Sequence, residues 1–447
     1  MKNILQNRDS WFILGVSFLL LIVLGYNRVT YIEDPDSLRF ALAFKNFDPA
    51  NGIPHFPIYP VYIAITKLFY WINNSLSFAP TVVNWFSTTI IALIIYDWSK
   101  SRWLSVFTIF QAGLILMATR YMPDVFGVSL VLLALYFTVK RENIYLALIA
   151  SVLLLGVRLS YFPCLIPVIW HFFRADWKKS ILVLVGGNLL ILVGLLMFIS
   201  FDDLTEVALK QTDGHFNDFG GGITSEEASF FQRVKFFFYR LFVNGFGIIP
   251  EFKYWQGPFV LLAFISGMFY ILKAKISLNK PLLLAIGFYS VWILLFQNIE
   301  FKFRHVIPLI PLIILLINEG LRKINLMFKI IILLAVVINS VSLLEEHKEP
   351  TSIAQVVRFV KFDKPDVVIS SKLLNYMLVA QSEEVETWNL EAIKSDARKL
   401  EKGEKVYLIG DFDFFEDQEI IEEKIFLHNE YGNPMWSELR IRKYVID

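Results

Sequence analysis

The stretch EDPDSLRFALAFKNFDPANGIPHFPIYP, residues Glu33 to Pro60, decides how the rest of the chain is read. It follows directly on a long apolar run, Trp11 to Tyr26, and places Glu33, Asp34 and Asp36 beside it. Carboxylates next to a membrane span are costly unless they are used. Leu38, Ala41, Leu42 and Phe44 recur at helical spacing, which predicts a short amphipathic helix with Asp34 or Asp36 also suited to its N-cap. Asp48-Pro49-Ala50-Asn51-Gly52 then reads as a turn, and Pro54 to Pro60 is a proline-rich connection around His55 and Tyr59.

The composition explains why that loop stands out. Of 447 residues, 56% are hydrophobic and 19% charged, and the mean hydropathy is +0.54. A water-soluble enzyme of this length carries more charge and fewer long apolar runs, so the chain is read as a mostly α, polytopic membrane helix bundle. A net charge of +1 supplies no attraction to nucleic acid, and no nucleic-acid motif is present. The single cysteine, Cys164, excludes an internal disulfide. Lys2 and Arg8 precede the first apolar run without a small-residue cleavage site after it, which predicts an uncleaved span.

Apolar segments at Trp11–Tyr26, Pro80–Tyr96, Trp103–Ala118, Val125–Val139, Ile144–Val157, Leu159–Phe173, Ile181–Phe201, Pro258–Leu272, Leu282–Phe296, Val306–Asn318 and Phe328–Leu344 predict about eleven transmembrane helices. Basic clusters at Lys100/Arg102, Lys140/Arg141, Arg174/Lys178/Lys179, Lys273/Lys275/Lys280 and Arg322/Lys323 are separated by pairs of these segments. They share one side, which the positive-inside rule makes the cytoplasm of a plasma (inner) membrane protein. The intervening stretches, including a long loop from Asp202 to Gly257, then face out. Phe56 to Ile72 is apolar enough to span, but Pro57, Pro60 and Lys67 argue for a re-entrant or interfacial piece. With that choice the N-terminus lies inside, and the acidic loop and the C-terminus lie outside.

Residues 1–348 form the membrane domain on this reading, and residues 349–447 a small α/β domain on the outer face that does no chemistry itself. In the latter, Val367–Ser370, Lys405–Gly410 and Leu439–Val445 read as strands, and Leu373–Gln381 and Leu390–Leu400 as helices. Gly410-Asp411-Phe412-Asp413 follows a strand as nucleotide-binding loops do, but lacks GxGxxG or a P-loop pattern.

The outward stretches bring carboxylates (Asp34, Asp36, Asp124) and cations (Arg158, Lys302, Arg304) to one side, with His55, Tyr59 and the glycine-flanked His215. Arginine grips phosphate bidentately, and a carboxylate near an acceptor hydroxyl serves as a general base. Such a set suits an anionic lipid substrate. Asp34, Asp36 and His215 lack diagnostic metal-ligand spacing.

Asp36-Ser37-Leu38-Arg39-Phe40, followed by His55-Phe56-Pro57-Ile58-Tyr59-Pro60, resembles the first outer loop of GT-C glycosyltransferases, among them the protein O-mannosyltransferases and the aminoarabinose transferase of lipid A. Phe303-Arg304-His305-Val306-Ile307-Pro308-Leu309-Ile310-Pro311 resembles their late-span motif, and Gly156 to Tyr161 has a similar look. The pattern departs from the family at Asp36-Ser37, where an Asp-Glu pair is usual, and at HFPIYP, where HPPL is usual. The resemblance implies sugar transfer from a polyprenyl-phosphate donor to a lipid, glycan or protein acceptor on the extracytoplasmic face. It implies Asp36, or failing it Asp34, as base. Arg158, Arg304 and Lys302 would hold the phosphate, with Asp124, His55, Tyr59 and His215 as substrate contacts. It implies no cofactor; a divalent metal belongs to oligosaccharide-transferring relatives and is not favoured. A lipid or oligosaccharide transporter is the alternative, although such proteins usually show repeats and mid-membrane charges. A scaffold for envelope assembly is a third reading.

Overall fold

In the computed structural model, the described residues are 8–214, 222, 229–248, 256–381, 385–390, 400–412, 415, 419–431 and 433–446. The chain divides into two compact units: Met1–Arg28 with Arg39–Glu345, and Val29–Leu38 with Glu346–Asp447.

The first unit is almost wholly helical. Among the described residues of the whole chain, five stretches are long and apolar enough to cross a membrane: Asp9–Tyr26, Phe78–Ser99, Leu159–Leu195, Gln256–Ala274 and Leu326–Asp363, the last of which continues past Glu345 into the second unit. Four shorter apolar helices accompany them: Asp124–Val139, Ile144–Val157, Lys280–Phe296 and Phe303–Leu316. Their surface inverts the pattern of a water-soluble protein. Leu190 and Leu182 are 75% and 72% exposed, whereas Asp124 and Asn84 are fully buried. Apolar flanks around a polar interior are what a lipid solvent selects, so the chain is an integral membrane protein.

Several expected segments differ in form. Trp103–Ala118 is two short helices, Arg102–Ile109 and Ala112–Ala118, because Gln111 adopts an extended backbone between them. Leu159–Phe173 opens as a 3₁₀ helix, Leu159–Leu165, with Pro163 inside it, and continues into Ile166–Leu195. The break expected after Phe173 is a bend at Asp176, whose backbone is non-helical and whose carboxylate accepts the Lys179 N–H at 3.1 Å. Asp202–Gly257 is not simply a loop. It holds the helices Phe201–Asp213 and Phe230–Tyr239, the latter started by a Ser229/Gln232 capping box. Arg233 is buried there and donates to the Ile293, Leu294 and Gln297 carbonyls, closing the C-terminal end of the Lys280–Phe296 helix.

The expected amphipathic helix forms as Pro35–Lys45. The turn after it is a short 3₁₀ segment, Pro49–Asn51, capped by Asp48 and ended by Gly52 at φ 72°. Pro60–Asn73 has 14 residues, a rise of about 21 Å, short of a ~30 Å hydrocarbon core. It buries Tyr62, Ile63 and Thr66 and exposes Leu68, Trp71 and Ile72.

The second unit carries a five-stranded sheet of order β2-β1-β3-β5-β4. Its strands are β1 (Val367–Ser370), β2 (Glu386–Asn389), β3 (Lys405–Ile409), β4 (Glu422–Leu427) and β5 (Glu438–Val445). β2, β1 and β3 run parallel, and β5 is antiparallel to β3 and β4. Val367, Ile369, Val406, Leu408 and Tyr444 form its buried core. β2 and β4, absent from the sequence expectation, are the polar edge strands. The helix Lys372–Val379 matches the expectation; most of the expected helix from Leu390 to Leu400 lies outside the described residues. Gly410, at φ 123°, uses its N–H to bond the Arg440 carbonyl at 2.9 Å, which takes that amide away from any phosphate. Asp413 lies outside the described residues.

Candidate active site

The core of the site is a buried ion pair in the first unit. Asp124 opens the Asp124–Val139 helix, where the helix dipole favours a negative charge. Arg158 is the residue at which the Ile144–Val157 helix ends, and its backbone at φ −154° and ψ 83° leads into the 3₁₀ turn. Arg158 Nη2 lies 3.1 Å from Asp124 Oδ1, with the side chains 5% and 0% exposed. Tyr161, one 3₁₀ turn on, donates its hydroxyl to the same Asp124 oxygen at 3.0 Å.

Room for this arrangement comes from Gly127, one turn below Asp124. A Cβ there would meet the Tyr161 ring at 2.9 Å and Arg158 Cβ at 3.0 Å. Two aromatic rings frame the guanidinium, Tyr59 with its centroid at 5.8 Å and Tyr161 at 5.7 Å. Tyr161 itself packs edge-on against Tyr289 at 5.5 Å.

From Arg158 the bonding continues into the proline-rich connection. Arg158 Nη1 donates to the Tyr59 hydroxyl at 3.3 Å, and that hydroxyl lies 3.2 Å from His55 Nε2. Ile58 and Tyr59 both have positive φ, 69° and 51°. This conformation is costly for a β-branched residue and is held here by the surrounding packing. Ile58 is fully buried, and its N–H bonds the His55 carbonyl at 2.9 Å. Phe40 packs against His55, Tyr59 and Tyr62 with centroids 5.9, 4.9 and 5.5 Å away.

In the other direction lies the 3₁₀ turn Phe303–Val306. The Tyr161 hydroxyl is 3.5 Å from the Arg304 carbonyl oxygen, and Tyr289 donates to the His305 carbonyl at 2.8 Å. Arg304 Nη1 approaches Met122 Sδ at 3.4 Å, tying this turn to the segment before Asp124. Arg120, in the same segment, stands 5.5 Å from the Phe303 ring centroid. Lys302 caps the turn from a half-buried position.

His55, Tyr59, Arg158, Asp124 and the Arg304 backbone are thus joined in one chain of contacts. Asp34 and Asp36 belong to the second unit. There Asp34 Oδ1 accepts the Ser37 N–H at 2.7 Å and caps the Pro35–Lys45 helix. Asp36 lies in the first turn of that helix and is 9% exposed. His215 lies outside the described residues. Tyr289 and Gly127 were not signalled by the sequence: a tyrosine and a glycine within apolar runs read as packing. Among the described residues, no three His, Cys, Asp or Glu side chains group as metal ligands would.

The arrangement has a chemical consequence. Arg158 is already charge-balanced by Asp124, so what it has to offer an anion is mainly N–H donors. Arg158 Nε and Asp124 Oδ2 are both buried without a hydrogen-bond partner. A buried donor or acceptor left unbonded costs about 1–3 kcal/mol.

The fold is similar to that of a protein of known structure. The crystal structure of ArnT from Cupriavidus metallidurans bound to undecaprenyl phosphate superposes with a TM-score of 0.55 and 10% sequence identity, covering 98% of each chain. The apo state of the same protein gives a TM-score of 0.48 at 12% identity over 97% of each chain. No family model and no curated protein matches the sequence. At this identity the likeness is one of fold alone.

Proposed function

We propose that this chain is a membrane glycosyltransferase that moves a sugar from a polyprenyl-phosphate donor to an acceptor on the extracytoplasmic face. The observation that carries the reading is the His55–Tyr59–Arg158–Asp124–Tyr161 chain of contacts within a fold similar to that of a protein solved with undecaprenyl phosphate.

In this mechanism Asp36, or failing it Asp34, takes the proton from the acceptor hydroxyl. The acceptor oxygen attacks the anomeric carbon. The bond from that carbon to the phosphate oxygen breaks, and polyprenyl phosphate leaves with the electron pair. Arg304 and Lys302, with the N–H groups of Arg158, stabilise the charge growing on the leaving phosphate. Asp124 and Tyr161 keep Arg158 in one orientation, and His55 does the same through Tyr59. His215 is assigned as a substrate contact. Charge stabilisation rests on side chains, and no resident metal is assigned.

The deciding experiment is transfer of labelled sugar from polyprenyl-phosphate sugars by the purified chain in sealed proteoliposomes. Transfer that is lost on boiling and absent without the donor is the expected result. Movement of intact donor across the bilayer with no transfer to any acceptor would overturn the reading in favour of a transporter.

A further inference from the structure

We infer that the C-terminal unit positions the acid-bearing loop: His347 and Asn433 clamp Glu33 and so fix the start of the helix that Asp34 caps and whose first turn holds Asp36. The inference rests on the glycosyltransferase reading for the role of those acids, but its structural part stands apart from it.

All the contacts lie inside the second unit. His347 Nε2 is 2.6 Å from Glu33 Oε1, and the two side chains are 3% and 0% exposed. The His347 backbone is engaged as well, since its carbonyl accepts the Tyr31 hydroxyl at 2.7 Å. Asn433, from the turn between β4 and β5, donates Nδ2 to the Glu33 carbonyl at 3.2 Å. Asn433 is itself held: its Oδ1 accepts the Met435 N–H at 3.1 Å, and its carbonyl lies 2.7 Å from His428 Nε2. The other nitrogen of that ring, Nδ1, accepts the Ser352 N–H at 3.0 Å. A line of buried or half-buried polar contacts thus runs from the start of the Ser352–Asp363 helix, through the sheet turn, to the residue preceding Asp34.

Position gives this line its purpose. Glu33 is gripped at both side chain and carbonyl, immediately before the Asp34 cap whose Oδ1 takes the Ser37 N–H. The pair His347–Glu33 closes a separation of 314 residues. A buried carboxylate and imidazole cost desolvation and need good geometry to be retained. A unit needing only a stable core could have closed this contact with apolar side chains. Two hydrogen-bonded grips on one residue set direction as well as attachment. Neither His347 nor Asn433 is assigned contact with substrate, so both are positioning residues.

The test uses the full chain in nanodiscs, with His347→Ala, Asn433→Ala and the conservative His347→Gln. Hydrogen–deuterium exchange of the peptide containing Ser37 and Leu38 reads the loop directly. Sugar transfer, as kcat and donor KM, reads the consequence. The expected result for His347→Ala is faster exchange confined to that peptide, kcat down by about 10²-fold and donor KM held within about twofold, because a small displacement of a reacting group carries that penalty. Asn433→Ala should act in the same direction and more weakly, and it carries the test if His347→Ala does not fold. His347→Gln, which keeps an N–H donor, should restore much of both readouts. Unchanged exchange in His347→Ala and Asn433→Ala overturns the inference whatever the chemistry proves to be. Faster exchange with kcat unchanged overturns the positioning role. Faster exchange in a chain whose wild type transfers no sugar supports the clamp and defeats the proposed function instead.

Discussion

Arg158 Nη2 stands 3.1 Å from Asp124 Oδ1, with both side chains shut away from solvent. The two residues come from different helix ends, and Tyr161 bonds the carboxylate oxygen that Arg158 faces. A pair of this kind is poor as a source of stability, because desolvation offsets most of the attraction, yet removing one member strands the other.

Removing both partners should therefore cost less than the two single removals added together. Arg158→Met or Asp124→Leu alone is expected to cost about 3–5 kcal/mol, and the double variant less than the sum. Denaturant unfolding in detergent, run as a double-mutant cycle, checks this. Additive losses would mean that the two side chains do not act as a pair.

Gly127 should tolerate no side chain. Gly127→Ala would press its Cβ onto the Tyr161 ring and Arg158 Cβ, with a loss of about 1–3 kcal/mol as for other overpacked sites. Gly194→Ala, where nothing lies within 4 Å, should be neutral or stabilising by up to about 1 kcal/mol. Comparing the melting temperatures of the two variants decides it. Equal Tm values would remove the steric argument.

For the base, Asp36→Asn keeps the shape and removes the proton acceptor. Transfer should fall by about 10²–10⁴ while donor binding persists. Asp34→Asn should be milder, because asparagine also caps helices. Near-normal transfer by Asp36→Asn would shift the role to Asp34, and a fully active double variant would sink the proposed mechanism.

Charge stabilisation by arginine and lysine predicts indifference to chelators. Prolonged EDTA treatment followed by assay in metal-free buffer should leave the transfer rate within about twofold. A loss restored by adding back a divalent cation would require a metal in the mechanism.

The proposed topology is checked at Asn51, which is exposed in the turn after the Pro35–Lys45 helix. In the Asn51→Cys variant, a membrane-impermeant maleimide should label from outside intact cells. Labelling that appears only after permeabilisation would place the acidic loop in the cytoplasm and leave the proposed extracytoplasmic chemistry without its base.

Much of the architecture was legible in the sequence because membrane helices and amphipathic segments follow from local pattern. The helix at Pro35–Lys45, the turn ended by Gly52, the core strands β1, β3 and β5 and the run of apolar helices all declare themselves in short windows. The edge strands did not: β4 is mostly exposed and mixes charge with apolar residues, and β2 is short and polar, so neither has the alternation that marks a half-buried strand.

The sequence by itself determined that the chain lies in a membrane, that its acids and cations cluster at the ends of apolar runs, and that Asp124, Arg158, His55 and Tyr59 were worth watching. Only the tertiary structure decided what these residues do to one another. Arg158 read as a cation able to reach lipid phosphate, yet it meets Asp124 in a buried, charge-balanced pair. Glu33 read as one of three loop carboxylates, yet it is gripped by His347 and Asn433. The physical reason is that local pattern reports the cost of burying a group, whereas its partner is chosen by contacts between residues far apart in sequence, and that partner sets the charge, orientation and donors that remain for chemistry.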